Sequence, residues 1–129
     1  MGSKILQVGL IGAGRIGKMH ATNIANNFSK VNIKSLADPS INKDWAKSLK
    51  IKNCYLDPDL VINDEEIDAV IIASPTPTHI EFIKQCSEYK KHIFCEKPFT
   101  CSYKEANFIC NLLKTKKKIS HMVNYEFAN

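Results

Sequence analysis

The stretch that decides the fold is KILQVGLIGAGRIG, Lys4–Gly17. Its first half, Lys4 to Ile11, is a β-branched and aliphatic run that predicts a buried strand. Its second half is Gly12-Ala13-Gly14-Arg15-Ile16-Gly17, a GxGxxG turn opening a helical pattern from Ile16 to Phe28. Strand, glycine turn and helix in that order make a dinucleotide-binding unit. Gly12 would allow the tight turn, Gly14 the approach of a pyrophosphate, and Gly17 close packing of helix on strand. Free N–H groups at the helix start would then meet the phosphates, alongside Arg15 and Ile16. A glycine turn without a ligand is the plain alternative.

Working outward, strands are predicted over Val31–Ala37, Asn53–Leu56, Asp68–Ala73, His92–Cys95 and Ile119–Tyr125. Helices are predicted from Ser40 or Asn42 through Leu49, from the Ser74–His79 segment to Tyr89, and from Ser102 to Thr115. Ser102 with Glu105 three residues later forms a capping box. Asp57-Pro58-Asp59 opens a turn or short helix. The order βαβαβ followed by βαβαβ predicts an α/β fold with a doubly wound, mostly parallel six-stranded sheet and helices on both faces. At 129 residues the chain is one domain's worth.

Composition narrows the function classes. Hydrophobic residues at 44% and charged residues at 24% exclude collagen-like and disordered chains. No apolar run is long enough to span a membrane. The net charge is +5, but Arg15 is the only arginine among 18 basic residues. That argues against a nucleic-acid partner, which usually demands arginine forks on a concentrated basic face. The lysine cluster Lys114, Lys116, Lys117 and Lys118 suits a helix C-terminus. The cysteines, Cys54, Cys86, Cys95, Cys101 and Cys110, form no CxxC pair, so free thiols and no metal site are expected. With Met1-Gly2-Ser3-Lys4 leading straight into a strand, a cytoplasmic location is expected.

Three further places carry chemistry. Asp38 ends the second predicted strand, 21 residues after Gly17. An acid there can accept the ribose hydroxyls of NAD and would repel the 2′-phosphate of NADP, so NAD is favoured over NADP. Asp38 also opens an Asp-Pro turn, and both roles are compatible. Ser74-Pro75-Thr76-Pro77-Thr78-His79 stands at the C-terminal end of the fourth strand, and Cys95-Glu96-Lys97-Pro98 at that of the fifth. Ligands of doubly wound sheets bind off those ends. Lys97 is a candidate site group there, against the alternative of a surface ion pair with Glu96. Cys95 and Cys101 are expected near the same cleft, more as small hydrophobes than as reactive thiols.

Together the stretches VGLIGAGRIGKMHATNI, LADPS, DAVIIASPTPTHIEFIKQC and KHIFCEKPFT resemble the glucose–fructose oxidoreductase and inositol dehydrogenase (Gfo/Idh/MocA) family. They span nearly the whole chain in the family's order, and CEKP is the most family-specific piece. The resemblance implies an N-terminal Rossmann domain followed by a substrate domain on an open antiparallel sheet. It implies hydride transfer between a nicotinamide cofactor and a secondary alcohol of a sugar or inositol. Lys97 would be the catalytic residue, near the nicotinamide and the reacting hydroxyl. Glu96, Ser74, Pro75, Thr76 and His79 would lie on the cofactor side, and the bond before Pro98 would be cis. His20 is a second histidine placed to approach the cleft.

The sequence ends at Asn129, where family members continue into the substrate domain. The expectation is therefore the cofactor domain of an NAD-dependent dehydrogenase acting on CH–OH groups, inactive by itself. A sugar or polyol substrate would be engaged through the missing domain, with self-association through the exposed interface. A stand-alone, non-catalytic dinucleotide module, a sensor or regulator, is the alternative.

Overall fold

A computed structural model describes residues 4–116 and 121–123. Six strands form one sheet: β1 (Leu6–Ile11), β2 (Val31–Ala37), β3 (Asn53–Tyr55), β4 (Ala69–Ile72), β5 (His92–Cys95) and β6 (His121–Val123). Their spatial order is β3-β2-β1-β4-β5-β6, and every pairing is parallel. The order reverses direction between β1 and β4. Both strand ends there are left uncovered by a connection, which makes the crevice where ligands of such sheets bind.

The helices are α1 (Arg15–Asn27), α2 (Lys43–Ser48), α3 (Asp59–Ile62), α4 (His79–Glu88) and α5 (Tyr103–Lys114). Strand side chains alternate between faces, and the consecutive residues Leu10 and Ile11 enter different cores. Leu10 joins Ala21, Ile33, Leu36 and Ala46, where α1 and α2 cover the sheet. Ile11 joins Val61, Val70, Ile83, Ile93 and Ile109, where α3, α4 and α5 cover it. Burial on both faces explains why these strands read as nearly unbroken apolar runs.

The elements agree with the sequence pattern apart from their ends. The first helix starts at Arg15, one residue earlier than predicted. The Ser74–His79 segment is not yet α-helix: Thr76–Thr78 is a 3-10 turn, and α4 begins only at His79. Each proline disfavours the α region for the residue before it, Ser74 and Thr76, which delays the regular helix. The Ser102 hydroxyl accepts the Glu105 N–H at 3.2 Å, so the predicted cap on α5 is present. Asn42, not Ser40, caps α2, accepting the Trp45 N–H at 3.0 Å. Lys50 and Lys90 hold left-handed backbone (φ 61° and 59°) after α2 and α4. There the N–H groups of Ile51 and Lys91 reach back to the carbonyls of Ala46 and Cys86. That geometry usually carries glycine, and no residue type at these positions signals it. Lys117 and Lys118, and all of the sixth predicted strand outside His121–Val123, lie outside the described residues.

Candidate active site

The cleft is built from the glycine turn outward. Gly12 has φ +98°, and a Cβ there would meet the Ala73 and Ser74 backbone at 2.6–2.7 Å. Only glycine permits β1 to turn that tightly against the end of β4. Gly17 lies beneath the turn: a Cβ on it would stand 1.9 Å from the Gly12 carbonyl oxygen. Gly14 is the opposite case, with nothing within 4 Å of a Cβ placed there. No side chain caps the start of α1 at Gly14. The first-turn N–H groups of a helix have no intrahelical acceptor, so this end presents donors to an open space.

Asp38 binds this turn to the next strand. Its Oδ2 accepts the Ala13 N–H at 2.6 Å, and its Oδ1 accepts the Ser40 N–H at 2.7 Å. The carboxylate thus opens the Asp-Pro turn and holds the glycine loop in place. Each oxygen keeps lone-pair capacity for a further donor.

The resulting cleft has a volume of about 490 Å³. Of the residues singled out from sequence, Gly12, Gly14, Ile16, Asp38, Ser74, Pro75, Thr76, Glu96 and Lys97 line it. Pro39, Ser40 and Ala73 line it too. Sequence reasoning passed over these three, although the Asp38-Pro39-Ser40 turn was itself a signal. Three candidates stand elsewhere. Gly17 packs under the loop. Arg15 lines a neighbouring hollow with Lys18, Met19 and Asn23 along α1. His79, expected on the cofactor side, is not brought to the cleft and is only 1% exposed. Its Nε2 stands 2.8 Å from the Ser74 carbonyl oxygen and its Nδ1 3.0 Å from that of Phe99. It ties the loop after β4 to the segment after the cis Lys97-Pro98 bond, holding the cleft wall from behind.

Glu96 is 7% exposed, at the end of β5. A carboxylate so buried needs donors. One is His20: its Nε2 lies 2.6 Å from Glu96 Oε1. With the carboxylate ionised it only accepts, and Nε2 is then the donor. The Lys97 N–H donates to Glu96 Oε2 at 3.1 Å. The Cys95 thiol is buried, and burial pushes it up to about 12, with the neighbouring Glu96 carboxylate adding to the effect. It is an apolar packing group and no nucleophile. Cys101 is exposed, and all five cysteines are free. Among the described residues no cluster of His, Cys, Asp and Glu could hold a metal ion, and no helix is long and apolar enough to cross a membrane.

Residues 6–125 match the Gfo/Idh/MocA family, described as the oxidoreductase family with the NAD-binding Rossmann fold. The chain belongs to this family. Among curated relatives, the oxidoreductase YrbE of Bacillus subtilis (strain 168) is 42% identical over 107 residues, covering 81% of this chain and 31% of that protein. The myo-inositol 2-dehydrogenase of Thermotoga maritima is 35% identical over 99 residues, covering 74% of this chain and 29% of the relative. Among solved structures, scyllo-inositol dehydrogenase from Lactobacillus casei with bound NAD(H) and scyllo-inositol superposes with a TM-score of 0.88 at 28% identity. That match covers 94% of this chain and 36% of the other. The chain thus spans about three-tenths of the length of the curated relatives it matches.

The Gfo/Idh/MocA cleft fits a dinucleotide on its own geometry. Gly14 leaves room where a pyrophosphate would approach the start of α1, and Asp38 stands at the end of β2 where a ribose would lie. NAD is the cofactor this arrangement suits: the carboxylate would accept ribose hydroxyls and would repel a 2′-phosphate.

Proposed function

We propose that this chain is the cofactor domain of a dehydrogenase that oxidises a CH–OH group of an inositol or related cyclic polyol. The observation carrying this reading is that Lys97 shares one cleft with the glycine turn and Asp38. Bound NAD would supply the hydride acceptor. The chain's residues do the rest of the work on this side. The start of α1 would hold the pyrophosphate, and Asp38 the adenosine ribose. Lys97 would hold the substrate hydroxyl and assist removal of its proton, a step that hydride loss from a carbinol requires. A bare dinucleotide module would need no lysine at that end of the cleft. The relatives' greater length supports a substrate domain outside these 129 residues, closing over Lys97 and excluding water. The five free thiols support a reducing, cytoplasmic setting.

The test is calorimetric titration of the chain with NADH and, separately, NADPH. Saturable NADH binding, with NADPH weaker, is the expected result. Asp38→Ala removes both the ribose acceptor and the anchor of the glycine loop, so it should weaken NADH about tenfold or more. Binding of neither cofactor by the folded chain would overturn the reading.

A further inference from the structure

Beside the cleft, His20, Phe94 and Glu96 form a cluster that none of the roles above uses fully. His20 follows Ile16 by one helical turn, so the two share a face of α1. Ile16 lines the cleft, and His20 lines the neighbouring hollow along the same helix. Phe94 and Glu96 are two residues apart along the β5 direction, so they project to the same side. The imidazole meets both. Its ring lies edge-on to Phe94 with centroids 5.4 Å apart and planes at 75°. Its Nε2 reaches Glu96 Oε1 at 2.6 Å, across 76 residues of sequence. The other Glu96 oxygen takes the Lys97 N–H.

We infer that His20 is a positioning residue that fixes the Glu96 carboxylate, and through it the Lys97 backbone, over the nicotinamide half of the cleft. The inference rests on the dehydrogenase reading above. The physical reason is directional. Asp38 places the adenosine half over β2, and the glycine turn places the pyrophosphate over β1 and α1. The remaining half of a dinucleotide must then extend over β4 and β5, where Glu96 and Lys97 stand. The helix that presents the phosphate donors is the helix that carries His20. The His20–Glu96 contact therefore sets the distance between the phosphate site and the Lys97 loop. A buried carboxylate without this donor would turn toward the cleft or draw in water, and Lys97 would shift with it.

The two halves of the cofactor separate this role from a general structural one. His20→Ala, His20→Gln and the unsubstituted chain are each titrated with NADH and with ADP, which carries only the adenosine and pyrophosphate. Exchange of the Lys97 amide hydrogen is followed by NMR. His20→Ala should weaken NADH about tenfold, the scale of one charge-assisted hydrogen bond. It should leave ADP within about twofold and speed Lys97 amide exchange. His20→Gln, whose amide N–H reaches a similar point, should restore most of the NADH affinity. Equal loss of NADH and ADP, or unchanged NADH binding with the Lys97 amide equally protected, overturns the inference. Should His20→Ala fail to fold, His20→Gln against His20→Asn makes the same comparison, because the shorter amide cannot reach Glu96. Binding of neither ligand by the unsubstituted chain overturns the dehydrogenase reading and this inference with it. ADP binding without NADH binding by the unsubstituted chain overturns both as well, whereas NADH binding by that chain with equal NADH and ADP losses in His20→Ala overturns this inference alone.

Discussion

At the N-terminal ends of the strands, Lys91 is buried and donates to the carbonyls of Asp64 and Ile67 at 2.6 and 2.7 Å. Nearby, Lys34 pairs with Asp64 and Glu66, and Asp68 accepts from the Gln7 N–H and from Lys4. At the C-terminal ends, Asp38 and Glu96 also accept backbone N–H groups, but they line an open cleft beside the glycine turn. The residue types are the same at both ends. What differs is the backbone. At the lower end the charged side chains complete hydrogen bonds for loop backbone. At the upper end the start of α1 keeps N–H donors turned toward open space. A ligand site arises where the fold leaves backbone groups for a guest to satisfy, more than where charge accumulates.

Variants on the two ends should break this comparison if it is wrong. Gly17→Ala should have the largest effect, because its methyl group collides with the Gly12 carbonyl. We expect a loss of about 3 kcal/mol in urea unfolding together with loss of NADH binding. Gly14→Ala is its control. With open space around its Cβ, stability should stay within about 0.5 kcal/mol, while the methyl enters the space proposed for the pyrophosphate and weakens NADH. Equal stability losses at both glycines would sink the assignment.

At the lower end, Lys91→Met should cost about 2 kcal/mol by leaving two carbonyls without their donor. Titration of that variant with NADH should give unchanged affinity, since no part of it faces the cleft. Burial pushes the Lys91 ammonium below its ordinary range, opposed by the Asp64 and Asp68 carboxylates. A lost cofactor affinity in Lys91→Met would show that the two ends are coupled.

The smallest effect is expected at Asp68. The Gln7 N–H holds its carboxyl below the usual carboxylate range; burial opposes this, and Lys4 adds to the lowering. A depressed pKa in the folded state means that the stabilisation is complete above the unfolded value. It is lost as pH falls below about 4, through the lower folded value. Asp68→Asn should therefore cost about 1 kcal/mol at neutral pH and flatten the acid side of the stability profile. An unchanged acid limb in thermal unfolding across that range would refute the assignment.

Local chemistry made much of the site legible. The GxGxxG turn, Asp38, the Ser74–Thr76 segment and Glu96-Lys97 all sit at strand ends. Period-two and helical patterns locate strand ends without any knowledge of packing. His79, which the structure places outside the cleft lining, shows where that reasoning stops. It is polar and one turn from the cleft loops, and the sequence cannot tell whether its ring faces a ligand or the Ser74 and Phe99 carbonyls behind them. His20 is the converse: its place on α1 was evident, but its partner was not.

The class of sheet, the glycine turn, the acid at the end of β2 and the family to which the chain belongs all follow from local sequence. Each depends on residues close together in the chain. The folded arrangement alone shows that His20 holds Glu96, that Asp38 anchors the Ala13 N–H, and that Lys91 closes the opposite end of the sheet. These contacts join elements 24 to 76 residues apart. They exist because parallel strands brought together by helical crossovers align their ends, and a local pattern carries no record of which ends will meet.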